Sequence, residues 1–189
     1  MIVIGGSLGG TAAVREILRR IPANFSPPIA IVLHRPRDGE DLLTPALQRE
    51  CALPVAEAED KGPIRPGHVY VAPADYHLMI DRSCFALSTD ELVNFARPSI
   101  DVLFESAAEW NRRSVIAVVL TGGGTDGAEG ARRIDDCGGT VLVQAPQTAE
   151  GPWMPAAAIK RTTRARILSL EQIASDVVEL AASHSRGLL

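Results

Sequence analysis

Met1-Ile2-Val3-Ile4-Gly5-Gly6-Ser7-Leu8-Gly9-Gly10 opens the chain as a short apolar run followed by a glycine-rich turn. Val14, Ile17, Leu18 and Ile21 come next at i, i+3, i+4 and i+7, the spacing of one helical face, and Pro22 ends that pattern. The order is strand, tight turn, helix. Inside the turn, Gly5-Gly6-Ser7-Leu8-Gly9 is a Gly-x-Ser-x-Gly pattern, which lifts a serine hydroxyl onto a sharp bend at the end of a strand. The glycines matter because the bend needs backbone angles that a Cβ blocks.

Outward from this unit the same alternation repeats. Ile29 to Leu33 reads as a second buried strand, and Leu42, Leu43, Ala46 and Leu47 as a helical face, with a short strand near Val55. The runs Val69 to Ala72, Leu78 to Ile80 and Phe85 to Leu87 are separated by gaps too short for crossover helices, so antiparallel hairpins are expected there. Helical spacing returns with Ile100, Leu103, Phe104 and Ala107, and Ser99 stands where a cap belongs. Val115 to Leu120 is the most strand-like run. It leads through a glycine-rich turn into a helix that ends at Gly138-Gly139. Thr140 to Val143 and Arg166 to Leu168 are further strands. Ser169 and Gln172 form a capping box for a last helix whose inner face is Leu170, Ile173, Val177, Val178 and Ala181. The pattern predicts one α/β unit over residues 1–189: a doubly wound, mainly parallel sheet with helices on both faces and an antiparallel edge hairpin.

Bulk properties narrow the function. The chain has 189 residues, 46% of them hydrophobic, enough for one domain with a real core. A net charge of -4 gives no sign of a nucleic-acid surface. There is no membrane-length apolar run and no secretory signal pattern. Cys51, Cys84 and Cys137 are widely spaced and lack metal-ligand spacing, as reduced cytoplasmic thiols would be.

In a doubly wound sheet, ligands bind beyond the carboxyl ends of the strands. Three polar residues stand there: Ser7 after the first strand, His34 after Ile29 to Leu33, and Asp126 in Thr121-Gly122-Gly123-Gly124-Thr125-Asp126-Gly127 after Val115 to Leu120. Together they make a hydrolase set, with serine as nucleophile, histidine as base and aspartate as the group that orients the imidazole. The N–H of Leu8 and glycine N–H groups at Gly122, Gly123 and Gly124 are candidate donors to an oxyanion. Each residue also has a plainer role open to it. Ser7 fits a turn or a helix cap, His34 a hydrogen-bonded strand end, and Asp126 with Glu129 an Asp-x-x-Glu helix start. His68, His77 and His184 read as structural or exposed. Two other glycine-rich classes fit poorly. Ser7 takes the middle glycine of a dinucleotide loop, His34 stands where a ribose-binding acid belongs, and no Gly-Lys-Ser/Thr follows for a phosphate loop.

The order Ser7, His34, Asp126 differs from that of α/β-hydrolases, Ser, Asp, His. The chain instead resembles the catalytic domain of the chemotaxis receptor methylesterase family, CheB, over nearly its whole length. The resemblance rests on Gly5-Gly6-Ser7-Leu8-Gly9-Gly10, Val32-Leu33-His34, Tyr70-Val71-Ala72-Pro73 with His77, Arg97-Pro98-Ser99-Ile100-Asp101, the run from Leu120 to Gly130, and Met154-Pro155 with Ala157 and Ala158. It implies Ser7 as nucleophile, His34 as base and Asp126 as orienter, with no metal or organic cofactor. The implied reaction is hydrolysis of methyl esters on glutamate side chains in the cytoplasmic helical bundles of chemoreceptors, with deamidation of certain glutamines. An esterase acting on a non-chemotactic ester and a catalytically idle receptor-docking module are the competing readings. The family's usual phosphorylatable receiver domain has no counterpart in these residues. Four positions depart from the family pattern: Leu8 where threonine is frequent, Gly123 where methionine is common, Ala145 in place of an acid, and Trp153 in place of glycine.

Overall fold

The computed structural model describes residues 1–35, 42–110 and 113–186. Among these residues, nine strands and six α-helices follow the expected alternation. They are β1 (Ile2–Gly6), α1 (Gly10–Leu18), β2 (Ile29–Leu33), α2 (Leu43–Gln48), β3 (Val55–Glu57), β4 (Val69–Val71), β5 (His77–Asp81) and β6 (Cys84–Ser88). The second half comprises α3 (Ile100–Trp110), β7 (Ile116–Val119), α4 (Ala128–Asp136), β8 (Thr140–Gln144), α5 (Trp153–Arg161), β9 (Arg166–Leu168) and α6 (Leu170–Arg186).

Seven strands form one parallel sheet in the order β3-β4-β2-β1-β7-β8-β9. Strand β1 lies between β2 and β7, so the strand order reverses there and opens a crevice at the strands' carboxyl ends. Every residue of β1, β2 and β7 is buried, which explains their unbroken apolar composition. Side chains alternate between two cores. Ile2 and Ile4 pack with α1 and α6 residues such as Val14, Ile17, Ile173 and Val177. Val3 packs on the other face with Ile100, Phe104, Ile134 and Met154 of α3, α4 and α5. Burying each such side chain contributes about 1.5–3 kcal/mol, so the double-sided sheet is the main source of stability.

The middle of the chain differs from the hairpin expectation in two ways. Val69–Val71 is not a hairpin strand. It is buried on both faces and lies parallel between β3 and β2, with Val69 opposite both Ile29 and Val55. A strand with no polar face gains more from a central position than from an edge. The β5–β6 pair is the expected antiparallel hairpin, but it forms its own two-stranded sheet rather than continuing the main one. Its apolar side chains Leu78, Ile80 and Phe85 join the α3-side core, and the Ile80 N–H donates to the Ser106 hydroxyl of α3 at 3.1 Å. Helix α5, which lacks a clear periodic signature, is an addition; Pro152 and Pro155 sit at its start, where a missing N–H costs nothing. The Ser169–Gln172 capping box forms as expected, at 2.9 and 3.3 Å.

Candidate active site

Three strand ends build the site. Gly6 pairs with Leu33, and the His34 N–H donates to the Gly6 carbonyl at 3.2 Å, so Ser7 and His34 are the next residues along neighbouring strands. The Ser7 N–H donates to the Thr121 carbonyl at 2.9 Å, which ties the serine turn to the loop after β7. The turn itself is tight. The Gly10 N–H returns to the Ser7 carbonyl at 2.7 Å, and Gly9 has a φ of +75°. A Cβ on Gly10 would stand 2.8 Å from a Leu33 methyl carbon, so glycine lets α1 begin against β2.

His34 and Asp126 meet directly: Nε2 of the imidazole lies 2.8 Å from Oδ2 of the carboxylate. An ionised carboxylate only accepts, so Nε2 carries a proton, and in the neutral imidazole Nδ1 is then the basic nitrogen. The Ser7 hydroxyl has no hydrogen-bond partner among the described residues and is partly open to solvent.

Asp126 is almost wholly buried. It accepts from His34 Nε2, Asn94 Nδ2, the Ser99 hydroxyl, and the N–H groups of Ile100, Asp101 and Gly127, at 2.7–3.2 Å. Burial alone would raise its pKa. The bonds from His34, Ile100, Ser99 and Asp101 outweigh burial and hold the carboxyl below its usual range. Asp126 therefore does cap a helix, but it caps α3 in space rather than α4 in sequence. Helix α4 starts at Gly127, in the left-handed region and with no cap of its own; its first turn is capped from α3, where the Asp101 carboxylate accepts the Gly130 N–H at 2.7 Å. Ser99, expected as the α3 cap, instead donates its hydroxyl to Asp126. The positive end of α3 thus faces the carboxylate.

Of the expected oxyanion donors, Gly122 drops out because its N–H is taken up by the Gly151 carbonyl at 2.8 Å. The N–H groups of Leu8, Gly123 and Gly124 have no partner among the described residues, and Gly123 and Gly124 are exposed. The loop that carries them is fastened at its base. Buried Gln144 accepts the Thr121 N–H at 2.9 Å and donates to the Thr148 carbonyl at 3.1 Å. The Thr121 hydroxyl donates to the Leu8 carbonyl at 2.9 Å and accepts the Gly151 N–H at 2.8 Å. Gly122 also packs on Met154 and Gly151, where a Cβ would come within 2.6 Å of the Met154 side chain.

Sequence reasoning missed Asn94, Ser99 in its actual role, Thr121 and Gln144. Only Thr121, beside the glycine run, carried a local signal. His77 is structural: its Nε2 donates to the Glu91 carbonyl at 3.0 Å and its Nδ1 accepts the Ser99 N–H at 3.2 Å. His68 Nδ1 lies 2.8 Å from the Pro66 carbonyl oxygen, with its ring stacked near Tyr70. The His184 side chain lies outside the described residues. Among the described residues no helix is long and apolar enough to cross a membrane.

The fold and site define a doubly wound α/β protein with a histidine–carboxylate pair at the switch point of its sheet, beside a serine hydroxyl that has no partner among the described residues. The chain belongs to the CheB methylesterase family, whose model matches residues 2–177. A relative from Leptospira interrogans is 45% identical over 180 residues, covering 95% of this chain and 93% of the relative. The protein-glutamate methylesterase/protein-glutamine glutaminase of Maricaulis maris is 38% identical over 185 residues, and this chain spans 46% of its length. The crystal structure of the Thermotoga maritima CheB methylesterase catalytic domain superimposes with a TM-score of 0.89 at 34% identity, over 95% of this chain and 97% of that one.

Proposed function

We propose that the chain hydrolyses methyl esters of protein glutamate side chains, with Ser7, His34 and Asp126 as its triad, and that chemoreceptors are the substrate proteins. Ser7 Oγ attacks the ester carbonyl while His34 Nδ1 takes its proton. Asp126 holds the Nε2–H tautomer and stabilises the imidazolium that forms. The tetrahedral oxyanion faces the free N–H groups of Leu8, Gly123 and Gly124; one such donor is worth about 3–4 kcal/mol. Collapse breaks the C–O bond, and His34 returns the proton to methoxide, releasing methanol and leaving an acyl-serine. A water, deprotonated by the same nitrogen, then frees the glutamate and restores Ser7. A glutamine side chain follows the same path with ammonia as leaving group, which matches the second activity in the relatives' names.

The His34–Asp126 contact beside an unbonded serine at the switch point carries this reading. It is tested by methanol release from a glutamate-methylated receptor protein. Release should depend on Ser7, with Ser7→Ala losing roughly 10⁶-fold in kcat, as in other serine hydrolases. Equal release by the parent and Ser7→Ala would rule the reading out, as would failure of a fluorophosphonate to label Ser7.

A further inference from the structure

Val93-Asn94-Phe95-Ala96 forms a two-residue hairpin. Val93 and Ala96 exchange both backbone hydrogen bonds, at 3.2 and 3.0 Å, and Asn94 and Phe95 have φ of +51° and +62°. A turn of this hand favours asparagine followed by glycine. Asn94 suits its place. Phe95 does not: a bulky side chain in the left-handed region is strained, and the residue is 99% exposed. The ring therefore makes almost no contact with its own chain, so packing does not explain why phenylalanine stands there. Strain of this kind is characteristic of functional positions.

The turn is nonetheless held firmly. Asn94 Nδ2 donates to Asp101 Oδ2 at 2.6 Å and to Asp126 Oδ1 at 3.2 Å. Arg97 donates to the Thr89 and Asp90 carbonyls and pairs with Asp75. Phe95 is thereby fixed relative to the carboxylate that orients His34, and it shares with His34 and Leu92 the lining of an open cavity of about 210 Å³. Two further exposed apolar residues are chain neighbours of residues that build the site. Leu8, 54% exposed, follows Ser7, and Trp153, 69% exposed, precedes the Met154 that packs on Gly122.

We infer that Phe95, with Leu8 and Trp153, forms an apolar rim that receives the residues flanking the esterified glutamate, so that Phe95 determines specificity for the surrounding polypeptide. The inference rests on the esterase reading above. A glutamate side chain is short, so an ester reaching Ser7 brings the backbone that carries it, and the neighbouring residues, over this rim. Desolvating the ring against apolar neighbours is non-directional, so it selects composition rather than one sequence.

The test uses two peptides of equal length, each with one glutamate γ-methyl ester, flanked in one by leucines and in the other by serines. The parent should prefer the leucine peptide by about tenfold in kcat/KM, expressed in KM, as expected for apolar burial at a rim. Phe95→Gly should bring that ratio close to one while melting no lower than the parent, since glycine suits the left-handed turn. A purely structural role would slow both peptides alike and leave the ratio intact. A parent ratio near one, or a ratio unchanged in Phe95→Gly, overturns the inference. A parent that hydrolyses neither peptide nor a single-residue glutamate methyl ester overturns the esterase reading, and this inference with it.

Discussion

His34 Nε2 and Asp126 Oδ2, 92 positions apart in the chain, lie 2.8 Å apart, and the same oxygen accepts the N–H of Ile100 at the start of α3. One carboxylate therefore orients the imidazole and terminates a helix. Asp126→Asn keeps the shape but turns an NH₂ group toward donors. We expect kcat to fall by about 10⁴-fold, the loss seen when a triad aspartate becomes asparagine. Unfolding free energy should also drop by about 1–3 kcal/mol as donors lose their acceptor. Steady-state kinetics and urea titration read the two effects separately. Lost activity with unchanged stability would show that the cap contributes nothing.

Ile100 links the site to the sheet. An ideal Cβ on Gly5 would lie 2.2 Å from Ile100 Cγ2, and one on Gly127 would lie 2.7 Å from the same atom. Gly5→Ala should therefore displace Ile100 and its N–H from Asp126, with an overpacking cost of about 1–3 kcal/mol and a clear loss of activity. Adding Ile100→Ala vacates that space. In a double-mutant cycle the pair should be less destabilised than the sum of its parts; strict additivity would refute the wedge.

Asp101 adds a pH dependence. It is buried beside Asp126, with its oxygens bonded to the Gly130 N–H and Asn94 Nδ2. Burial first, and then the charge of Asp126, push its pKa up to about 6 against an ordinary 3.8. Between these values the folded protein binds the proton more tightly than the unfolded chain. This group therefore favours folding at acid pH, and that contribution is lost as pH rises through about 6. Relative to the parent, Asp101→Asn should gain about 2 kcal/mol between pH 4.5 and 7.5. Parallel stability curves for the two proteins would contradict this.

The glycine loop should tolerate change very unevenly. A Cβ on Gly123 meets nothing within 4 Å, whereas one on Gly151 would lie 2.7 Å from the Gly122 carbonyl carbon. Gly123→Met should stay within about 0.5 kcal/mol of the parent, as an exposed substitution does. Gly151→Ala should lose 1–3 kcal/mol, a typical overpacking cost of about that size, and slow turnover by moving the loop. Equal melting temperatures for these two variants would contradict the asymmetry.

The alternation of apolar runs and helical faces, and the arrival of Ser7, His34 and Asp126 at strand ends, were legible in the chain because periodicity and glycine-turn chemistry are properties of neighbouring residues. The place of Val69–Val71 inside the parallel sheet, the separation of the β5–β6 hairpin, the loss of Gly122 as a donor and the recruitment of Asn94 and Gln144 were not. Ser99 shows why. Its position predicts a cap for α3, yet Asp126, brought near by the packing of α4 on α3, takes that role and draws the serine hydroxyl to itself. Hydrogen bonds between distant segments depend on which strands pair and in what register, and those choices are made by burial of both sheet faces at once rather than by any local stretch of residues.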